Sequence, residues 1–513
     1  MKNILTLLTF AVALLLTNTS ISQNITVKVK GLQDTTIHLA KYYGSKLYFA
    51  DTTEFKNGKA TFDASKQKPG ILAVVLPGQK YFELIYNNED IAIETKLPDF
   101  IEHLKVKKSK ENQVFYNYIN FMKTSQEDAQ NIREELQQTT DEKRKEQLEK
   151  QLQSTSDRVK STQANMVAEN EGTLASKIIK MSMEVEVPEA PKDENGNLID
   201  SNFRYNYFRD NYFNNIDLKD DRLVNTPVFQ RKFEYFYSKE MLLQHPDTIF
   251  KYLSRVMDQV PEGTDMYRFV STNAATTLEK SKIMGMDRAF NLIIDRYFCA
   301  KDEDGEPKGF WVSDEKLETL CDDTKKRLRL VQGEVPPNLI LTDSTNKKWY
   351  NLHEIEADYV VLYFWDPNCG HCKKSTPKLG QLYDKKLKDR NVEVFAVGKA
   401  TGDDFEDWKK FVKKHDLKFI NVGVTQPIYE QASENARSLV PEFTTVESLN
   451  YQDTYNIYSS PKTWILDKNK VIIGKDLGIA QLEEYLDRIQ GFEDEEKLFE
   501  VKKKDVETEI LEE

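Results

Sequence analysis

Apolar and polar residues follow three different patterns along this chain. From residue 23 to about 105, apolar residues alternate with polar ones, and turn residues recur about every 8–12 positions. Asn57-Gly58, between two short alternating runs, is the clearest hairpin turn. This first pattern predicts an N-terminal β-sandwich-like domain over residues 23–105.

The second pattern, over residues 106–332, is helical. Between Ile132 and Met166, apolar residues recur at spacings of four or seven in a background of Glu, Lys and Gln. This spacing predicts a long helix, a helical hairpin or a dimeric coiled coil, although the apolar stripe is interrupted at 139–147. Aromatic residues between 203 and 237 are better explained by core packing than by a ligand-binding cluster. We therefore expect a central all-α region.

The third pattern begins near residue 333. Tyr359–Trp365 is an uninterrupted β-branched and aromatic run, as expected of a buried central strand. Helical and strand patterns then alternate, which predicts a parallel α/β core over residues 333–492, followed by a charged tail over 493–513. The expected elements are a helix at 372–388, strands at 392–397, 463–466 and 471–473, and helices at 405–415 and 479–489.

The length and the net charge of the chain limit which fold classes and function classes are possible. A chain of 513 residues exceeds a single core, so several domains are needed and the expected fold class is multidomain α+β. The net charge of −12 argues against nucleic acid as a partner, because phosphates need a basic surface.

The N-terminus indicates export. Lys2 precedes an apolar run from Ile4 to Leu16, and Ser20-Ile21-Ser22 puts small side chains where a signal peptidase cleaves. We predict a signal peptide over 1–22, cleavage near Ser22-Gln23, and a mature chain in the periplasm or cell envelope. The run is shorter than the roughly 20 residues that span a bilayer. No later segment is apolar for long enough, so we expect no stable membrane span in the mature chain.

Two of the four cysteines form a Cys-Gly-His-Cys sequence at residues 369–372, between the predicted buried strand and a Lys-rich helix. Backbone amides at a helix N-terminus lower the pKa of a thiol placed there. We therefore expect Cys369 to be the attacking thiolate and Cys372 the resolving thiol of a redox-active disulfide. An imidazolium at His371 would stabilise the thiolate further, and the alternative for this residue is a solvent-facing loop position.

The cysteines do not indicate a metal site. Zinc would need two more ligands at suitable spacing, and Cys299 and Cys321 form no second CxxC sequence. No metal and no other cofactor is expected. For Cys299 and Cys321, a disulfide, two free buried thiols and a relay to the Cys369–Cys372 pair all stay open, with a disulfide or inert thiols favoured over the relay.

Several motifs in the C-terminal part are specific. Phe364-Trp365, the CxxC centre at 369–372, Pro377 and the Ser460-Pro461-Lys462-Thr463 segment occur together. From about Val335 to Gln490 the chain resembles the TlpA/ResA-like thioredoxins of bacterial cell envelopes. The two upstream regions resemble uncharacterised domains that often precede such thioredoxins.

This resemblance implies a thioredoxin-like fold and an enzyme that acts as a thiol–disulfide oxidoreductase. It implies that Pro461 is a cis-proline facing the cysteines, that the backbone of Ser460 pairs with a substrate peptide, and that Trp365 belongs to the substrate-binding surface. The partners it implies are protein thiols or disulfides and an envelope redox partner whose identity the sequence does not give.

The chain departs from the family pattern at three places. Asn368 stands where a Trp usually precedes the first cysteine, and Tyr363 stands where thioredoxin has a buried carboxylate that aids proton transfer. The stretch 425–451 is longer than usual, and it is a lid, a substrate-selecting insertion or a neutral surface loop. The other carboxylates near the site in sequence are Glu354, Glu356, Asp358 and Asp366.

Two further function classes are alternatives to the oxidoreductase. A thiol peroxidase shares the thioredoxin fold, but Thr376-Pro377 follow the cysteines here, whereas a peroxiredoxin has Pro and Thr before its reactive cysteine. An envelope adaptor is the other alternative, in which the first two domains bind a partner and the redox unit is secondary.

Overall fold

The structure, a computed structural model, describes residues 23–500. The predicted signal peptide over 1–22 and residues 501–513 of the predicted charged tail lie outside the described residues. The chain divides into two compact units, with the boundary between Lys232 and Phe233. Within residues 23–500, no helix combines the length and the apolar character that crossing a membrane requires.

The first unit begins with two four-stranded sheets, ordered β4-β1-β7-β8 and β3-β2-β5-β6. Alternate residues of both sheets, such as Val27, Ile93, Leu39 and Val74, are buried in one apolar core. The predicted β-sandwich-like domain is therefore confirmed. Its strands are β1 Asn24–Lys30, β2 Thr35–Tyr43, β3 Lys46–Phe55, β4 Lys59–Asp63, β5 Gly70–Leu76, β6 Lys80–Tyr86, β7 Ile91–Lys96 and β8 Lys105–Lys108.

The predicted turn at Asn57-Gly58 joins the two sheets. Asn57 and Gly58 have φ values of 52° and 77°, the left-handed pair that a tight hairpin turn requires. A single bridge between Lys56 and Lys59 closes the turn. Beyond it, β3 and β4 enter different sheets, so the chain passes from one sheet of the sandwich to the other at this point.

A helical hairpin follows the sandwich. Helix α1 (Lys110–Gln138) and helix α2 (Glu142–Glu169) run antiparallel, with Arg158 bound to Asp128 at 2.9 Å. The turn between them, at residues 139–141, accounts for the start of the interruption in the apolar stripe. The helical hairpin is therefore formed in place of a single long helix. The remaining helices before the boundary are α3 Leu174–Ser182 and α4 Phe203–Asn211, and α5 Pro227–Phe236 crosses it.

The second unit opens with helices that carry the disulfide. Cys299, in the turn after α8, is bonded to Cys321 of α9, with Cα atoms 5.6 Å apart. Of the three states considered for these cysteines, the structure contains the disulfide. The helices are α6 Pro246–Met257, α7 Asp265–Glu279, α8 Met286–Ile294 and α9 Asp314–Leu328.

A five-stranded sheet ordered β13-β12-β11-β14-β15 forms the centre of the C-terminal domain. Its strands are β11 Tyr359–Trp365, β12 Val392–Gly398, β13 Ile420–Val422, β14 Lys462–Asp467 and β15 Ile472–Lys475. A preceding hairpin, which the sequence patterns did not predict, consists of β9 Ile340–Thr342 and β10 Trp349–Asn351. The helices are α10 Gly370–Leu382, α11 Asp404–Lys414, α12 Gln426–Asn435, α13 Val446–Leu449, α14 Tyr451–Thr454 and α15 Ile479–Gln490.

The sheet is mixed, which corrects the prediction of a parallel core. Strands β11, β12 and β13 are parallel, whereas β14 runs antiparallel to both β11 and β15. The four residues between β14 and β15 leave room only for a hairpin, because a parallel connection needs a crossover of about a dozen residues or more. Both faces of β11 are buried, with Tyr363 in the apolar cluster of one face and Phe364 in that of the other.

The start of the predicted charged tail is bound to this domain. The backbone N–H groups of Leu498 and Phe499 donate to the buried carboxylate of Glu483 at 2.8 and 3.1 Å. The same carboxylate pairs with Lys386 at 2.6 Å. The first residues of the predicted charged tail are therefore held against the domain by buried charged side chains.

Candidate active site

The topology of the sheet brings the CxxC segment and Pro461 together. Strand β11, the central strand of the sheet, ends at Trp365, and a short loop leads from there to Cys369. Strand β14 is antiparallel to β11, with Lys462 opposite Phe364. The residues just before β14 therefore lie at the same sheet edge as the residues just after β11.

The two sulfurs have different environments. Cys369 is the N-cap residue of α10 and is partly exposed, whereas Cys372 is 0% exposed. Both are free thiols. The Sγ of Cys369 lies 3.4 Å from the carbonyl oxygen of Ser460, and the backbone N–H of Asp366 donates to the Sγ of Cys372 at 3.4 Å.

These environments shift the two pKa values in opposite directions. The backbone N–H of Cys372, followed by that of His371, lowers the pKa of Cys369, as expected at a helix N-terminus. Burial raises the pKa of Cys372 to about 11. The exposed sulfur therefore carries the thiolate much more readily than the buried one.

The other predicted site residues occupy distinct positions. The Ser460–Pro461 peptide bond is cis, as the resemblance implied. His371 is exposed on the first turn of α10, beside Cys369 in the chain. Trp365 is only 2% exposed and packs on Phe411 with ring centroids 5.0 Å apart, so its ring lies in the core, and the residue also lines a small cleft that Ser460 borders.

Tyr363 stands where thioredoxin has a buried carboxylate, and its hydroxyl belongs to a cluster of three hydroxyl groups. Its hydroxyl lies 2.9 Å from that of Ser375 and 3.0 Å from that of Thr376. Burial, the largest cause, raises the pKa of Tyr363, and nearby Cys372 adds to the rise. A tyrosine held neutral in this way is a hydrogen-bonding group and a poor base at neutral pH.

Of the four carboxylates considered for proton transfer, only Asp366 lies beside the cysteines. The others precede Tyr359, at the opposite end of the seven-residue β11 and so about 20 Å from its C-terminal end. The carboxylate of Asp366 accepts the backbone N–H of Asn368 at 2.6 Å.

Sequence reasoning missed the contacts that Asn368 makes. Its side-chain amide donates to Asp404 at 2.8 Å and to Asp407 at 3.1 Å, which ties the residue before Cys369 to helix α11. Lys399 pairs with the same Asp404 at 2.9 Å. The only sequence signal was the departure from Trp at this position, because the partners are distant in the chain.

The stretch 425–451 forms α12 and α13. The Thr444 hydroxyl donates to the Ile340 carbonyl at 2.6 Å, and the Ile340 N–H donates to the Ser448 hydroxyl at 2.9 Å. The C-terminal part of the stretch is thus anchored to β9. At its end Tyr451 stacks on Phe364, next to the CxxC loop.

Similarity to known proteins agrees with this geometry. Residues 333–474 match the model of the AhpC/TSA family. A solved domain of a possible thiol-disulfide isomerase from Cytophaga hutchinsonii is 32% identical, covering 31% of this chain and 94% of its own, with a TM-score of 0.25. The chain belongs to the thioredoxin-like oxidoreductases of the AhpC/TSA family. Residues 23–115 of this oxidoreductase match DUF4369, a domain of unknown function.

Two other solved structures are similar to parts of this oxidoreductase. The thioredoxin domain of a thiol-disulfide oxidoreductase from Bacteroides vulgatus is 22% identical, over 31% of this chain and 97% of its own, with a TM-score of 0.25. A thioredoxin-like protein from Bacteroides caccae is 14% identical, over 59% of this chain and 98% of its own, with a TM-score of 0.39. No curated protein matches the chain.

Proposed function

We propose that this oxidoreductase is exported and exchanges disulfides with protein thiols through Cys369 and Cys372. The observation that carries the proposal is the asymmetry of the pair. Cys369 is accessible and acidified at a helix N-terminus, whereas Cys372 is buried and stays protonated. This is the division of labour that a nucleophile and a resolving thiol require.

In the proposed reaction, the Cys369 thiolate attacks one sulfur of a substrate disulfide. A Cys369–substrate disulfide forms, and the other substrate sulfur leaves as a thiolate that takes up a proton. Cys372 then loses its proton and attacks the Sγ of Cys369, which releases the second substrate sulfur as a thiolate. The protein ends with a Cys369–Cys372 disulfide and the substrate with two thiols, and the reverse sequence oxidises a dithiol.

The residues around the pair have supporting roles in this proposal. The Ser460 backbone, whose carbonyl lies 3.4 Å from the Cys369 sulfur, pairs with the substrate backbone, and Pro461 holds that segment in place. His371 favours the thiolate when its imidazole is protonated. Trp365 acts indirectly, since its buried ring supports the end of β11 beneath the loop.

Insulin reduction by a dithiol tests the proposed activity. Cys369→Ser should abolish catalysis, while Cys372→Ser should trap mixed disulfides with substrate. The double variant Cys299→Ala/Cys321→Ala is the matched control and should keep the activity, because those cysteines are already paired. An active Cys369→Ser variant would refute the proposal, and a fast reaction of Cys369 with hydrogen peroxide would favour a peroxidase instead.

Export and partnership have separate tests. The proposed signal peptide is supported by the apolar run from Ile4 to Leu16. N-terminal sequencing of the periplasmic protein should begin at or near Gln23, and an intact Met1 in that fraction would contradict cleavage. Capture of a redox partner should depend on Cys369. A stoichiometric partner that binds without both cysteines would favour the adaptor function.

A further inference from the structure

Lysines cluster at one end of the first sheet of the N-terminal sandwich. The two central strands, β1 and β7, are parallel and end at Lys30 and Lys96, which stand opposite each other in the register. The edge strands β4 and β8 run the other way and begin at Lys59 and Lys105. All four strands therefore present a lysine at the same end of this sheet.

The lysines also share the solvent-facing side of the sheet. Val27 and Val29 of β1 are buried in the sandwich, so the alternating residues Lys28 and Lys30 face solvent. Residues that stand opposite each other in neighbouring strands project from the same face. Because Lys28 stands opposite Lys59, and Lys30 opposite Lys96, the positive charges are adjacent on this face.

This arrangement has a cost that protection of the sheet edges does not explain. Like charges directly opposite each other destabilise a sheet. Lysines on edge strands prevent unwanted strand pairing, and that role suits Lys59 and Lys105. Lys28, Lys30 and Lys96 lie on the two interior strands, which have no free edge. A binding role accounts for these three.

Most of these charges have no ionic partner. Glu94 stands among the lysines and pairs with Lys28 at 2.9 Å and with Lys107 at 3.4 Å. Four lysines of this face form no ion pair with any residue that the structure describes: Lys30, Lys59, Lys96 and Lys105. The whole chain has a net charge of −12, so this positive surface is a local exception. We call Lys28 and these four residues the lysine face.

An open cleft of about 660 Å³ runs along the lysine face, and Lys28, Lys30, Lys96 and Lys105 line it. Residues 23–115 contain no arginine, the residue whose planar fork binds a single phosphate or carboxylate through two hydrogen bonds. The lysines are spread across four strands, or about 14 Å at the usual strand spacing. Point charges spread in this way suit a surface that carries many phosphates better than they suit one small anion.

An exposed apolar side chain lies beside the lysine face. The loop 97–104 joins the end of β7 to the start of β8, and Ile101 within it is 56% exposed. Phe100 of the same loop is buried in the sandwich. Lysines beside an exposed apolar residue are typical of segments that adsorb to anionic bilayers, where the apolar side chain enters the interface and the cations lie among the headgroups.

The same loop also contains two carboxylates. Asp99 accepts the backbone N–H of Glu102 at 3.0 Å and so stabilises the loop itself. Glu102 is exposed and follows Ile101 directly. Its negative charge opposes the approach of an anionic surface, so its removal should strengthen binding to such a surface.

We propose that the lysine face and Ile101 bind the headgroup surface of an anionic phospholipid bilayer. The lysines lie against the lipid phosphates, and Ile101 enters the boundary between headgroups and acyl chains. The site lies in the region that matches DUF4369 and uses none of the residues around Cys369 and Cys372. It therefore stands or falls separately from the proposed disulfide exchange.

Cosedimentation with vesicles tests the proposal. The mature chain, residues 23–513, is mixed with vesicles of phosphatidylcholine alone or of equal parts phosphatidylcholine and phosphatidylglycerol, and the bound fraction gives a partition coefficient. Binding should require phosphatidylglycerol. It should weaken when the ionic strength rises from about 0.1 M to about 1 M, because the screening length shortens from about 10 Å to about 3 Å. This chain lacks the apolar run from Ile4 to Leu16, so that run does not contribute to the binding.

The double variant Lys30→Gln/Lys96→Gln removes two charges of the lysine face. It should lower the partition coefficient about thirtyfold, or about fivefold for each lysine. Lys66→Gln/Lys80→Gln is the matched control, because it changes the net charge equally at two exposed lysines of the same domain outside the lysine face. It should keep the wild-type coefficient.

Two changes in the loop test the apolar contact and the opposing charge. Ile101→Ser should lower the partition coefficient about tenfold, because a serine gains little from entering the bilayer interface. Glu102→Gln should raise it about fivefold, because it removes a negative charge at the membrane surface. All the substituted residues are exposed, so each variant should fold.

The outcomes separate a bilayer from a soluble anion and from the redox activity. Equal binding to both kinds of vesicle, or a wild-type coefficient in Lys30→Gln/Lys96→Gln, would overturn the proposal. Inorganic polyphosphate that binds as tightly as the vesicles, together with a wild-type coefficient in Ile101→Ser, would assign the surface to a soluble polyanion instead. Insulin reduction should proceed at the wild-type rate in every variant, and its absence in the unaltered protein would refute the proposed function alone.

Discussion

The thiols of Cys369 and Cys372 should titrate far apart. Burial raises the pKa of Cys372 from 9.0 to about 11, whereas the amides of the α10 N-terminus lower that of Cys369. At pH 7, a pKa of about 11 leaves about one molecule in 10⁴ with a Cys372 thiolate, about a hundredfold fewer than a pKa of 9. Alkylation of the reduced protein at pH 7 should therefore modify Cys369 and spare Cys372.

The charge of Cys369 is itself part of the reason why Cys372 holds its proton. The Cys369 thiolate adds to the raised pKa of Cys372, through a hydrogen bond and through its charge, after the larger effect of burial. Formation of a mixed disulfide at Cys369 removes that negative charge. The pKa of Cys372 should then fall, so the resolving thiol becomes more acidic at the step in which it must attack.

The assay is the pH dependence of iodoacetamide alkylation, with each site followed by mass spectrometry. Cys372→Ser isolates Cys369, whose inflection should lie below 9.0. Cys369→Ser isolates Cys372, whose inflection should lie between 9.0 and about 11, because burial remains and the neighbouring thiolate is gone. An inflection of Cys369 at or above 9.0, or of Cys372 below it, would refute the reasoning.

Three further predictions concern stability and proton transfer. Replacing Cys299 and Cys321 by Ala should lower the free energy of unfolding by about 3 kcal/mol in urea, since the disulfide spans a sequence separation of 22, and an unchanged midpoint would contradict this. Glu483→Gln should lower the free energy of unfolding by about 3–5 kcal/mol in the same assay, because it breaks a buried ion pair. The control Glu495→Gln, at an exposed residue, should lower it by about 1 kcal/mol at most. Tyr363→Phe should cost about 1 kcal/mol and leave the pH profile of disulfide exchange unchanged; a displaced profile would show that the hydroxyl transfers protons.

Features that depend only on residues close together in the sequence were predictable from the sequence. The run Tyr359–Trp365 forms a buried strand, and Cys369 lies at the start of a helix, as the local pattern indicates. The Asn57-Gly58 turn also formed where predicted, because its φ requirements are met within two residues. The cis bond before Pro461 followed from the family motif and not from any physical pattern.

Contacts between distant residues were decided only by the tertiary structure. The amide of Asn368 meets Asp404 because parallel pairing of β11 and β12 brings the following loops to one sheet edge. Local periodicity likewise contains no information on the antiparallel pairing of β14 with β11 or on the partner of Cys299.

The chemistry of the cysteine pair shows the same division. The sequence determined that two thiols stand one helical turn apart at a helix N-terminus, because that spacing is local. Only the fold decided that Cys372 is buried and that the Ser460 carbonyl lies against Cys369. Burial and long-range contact depend on how the whole chain packs, and a pattern within one segment does not record that packing.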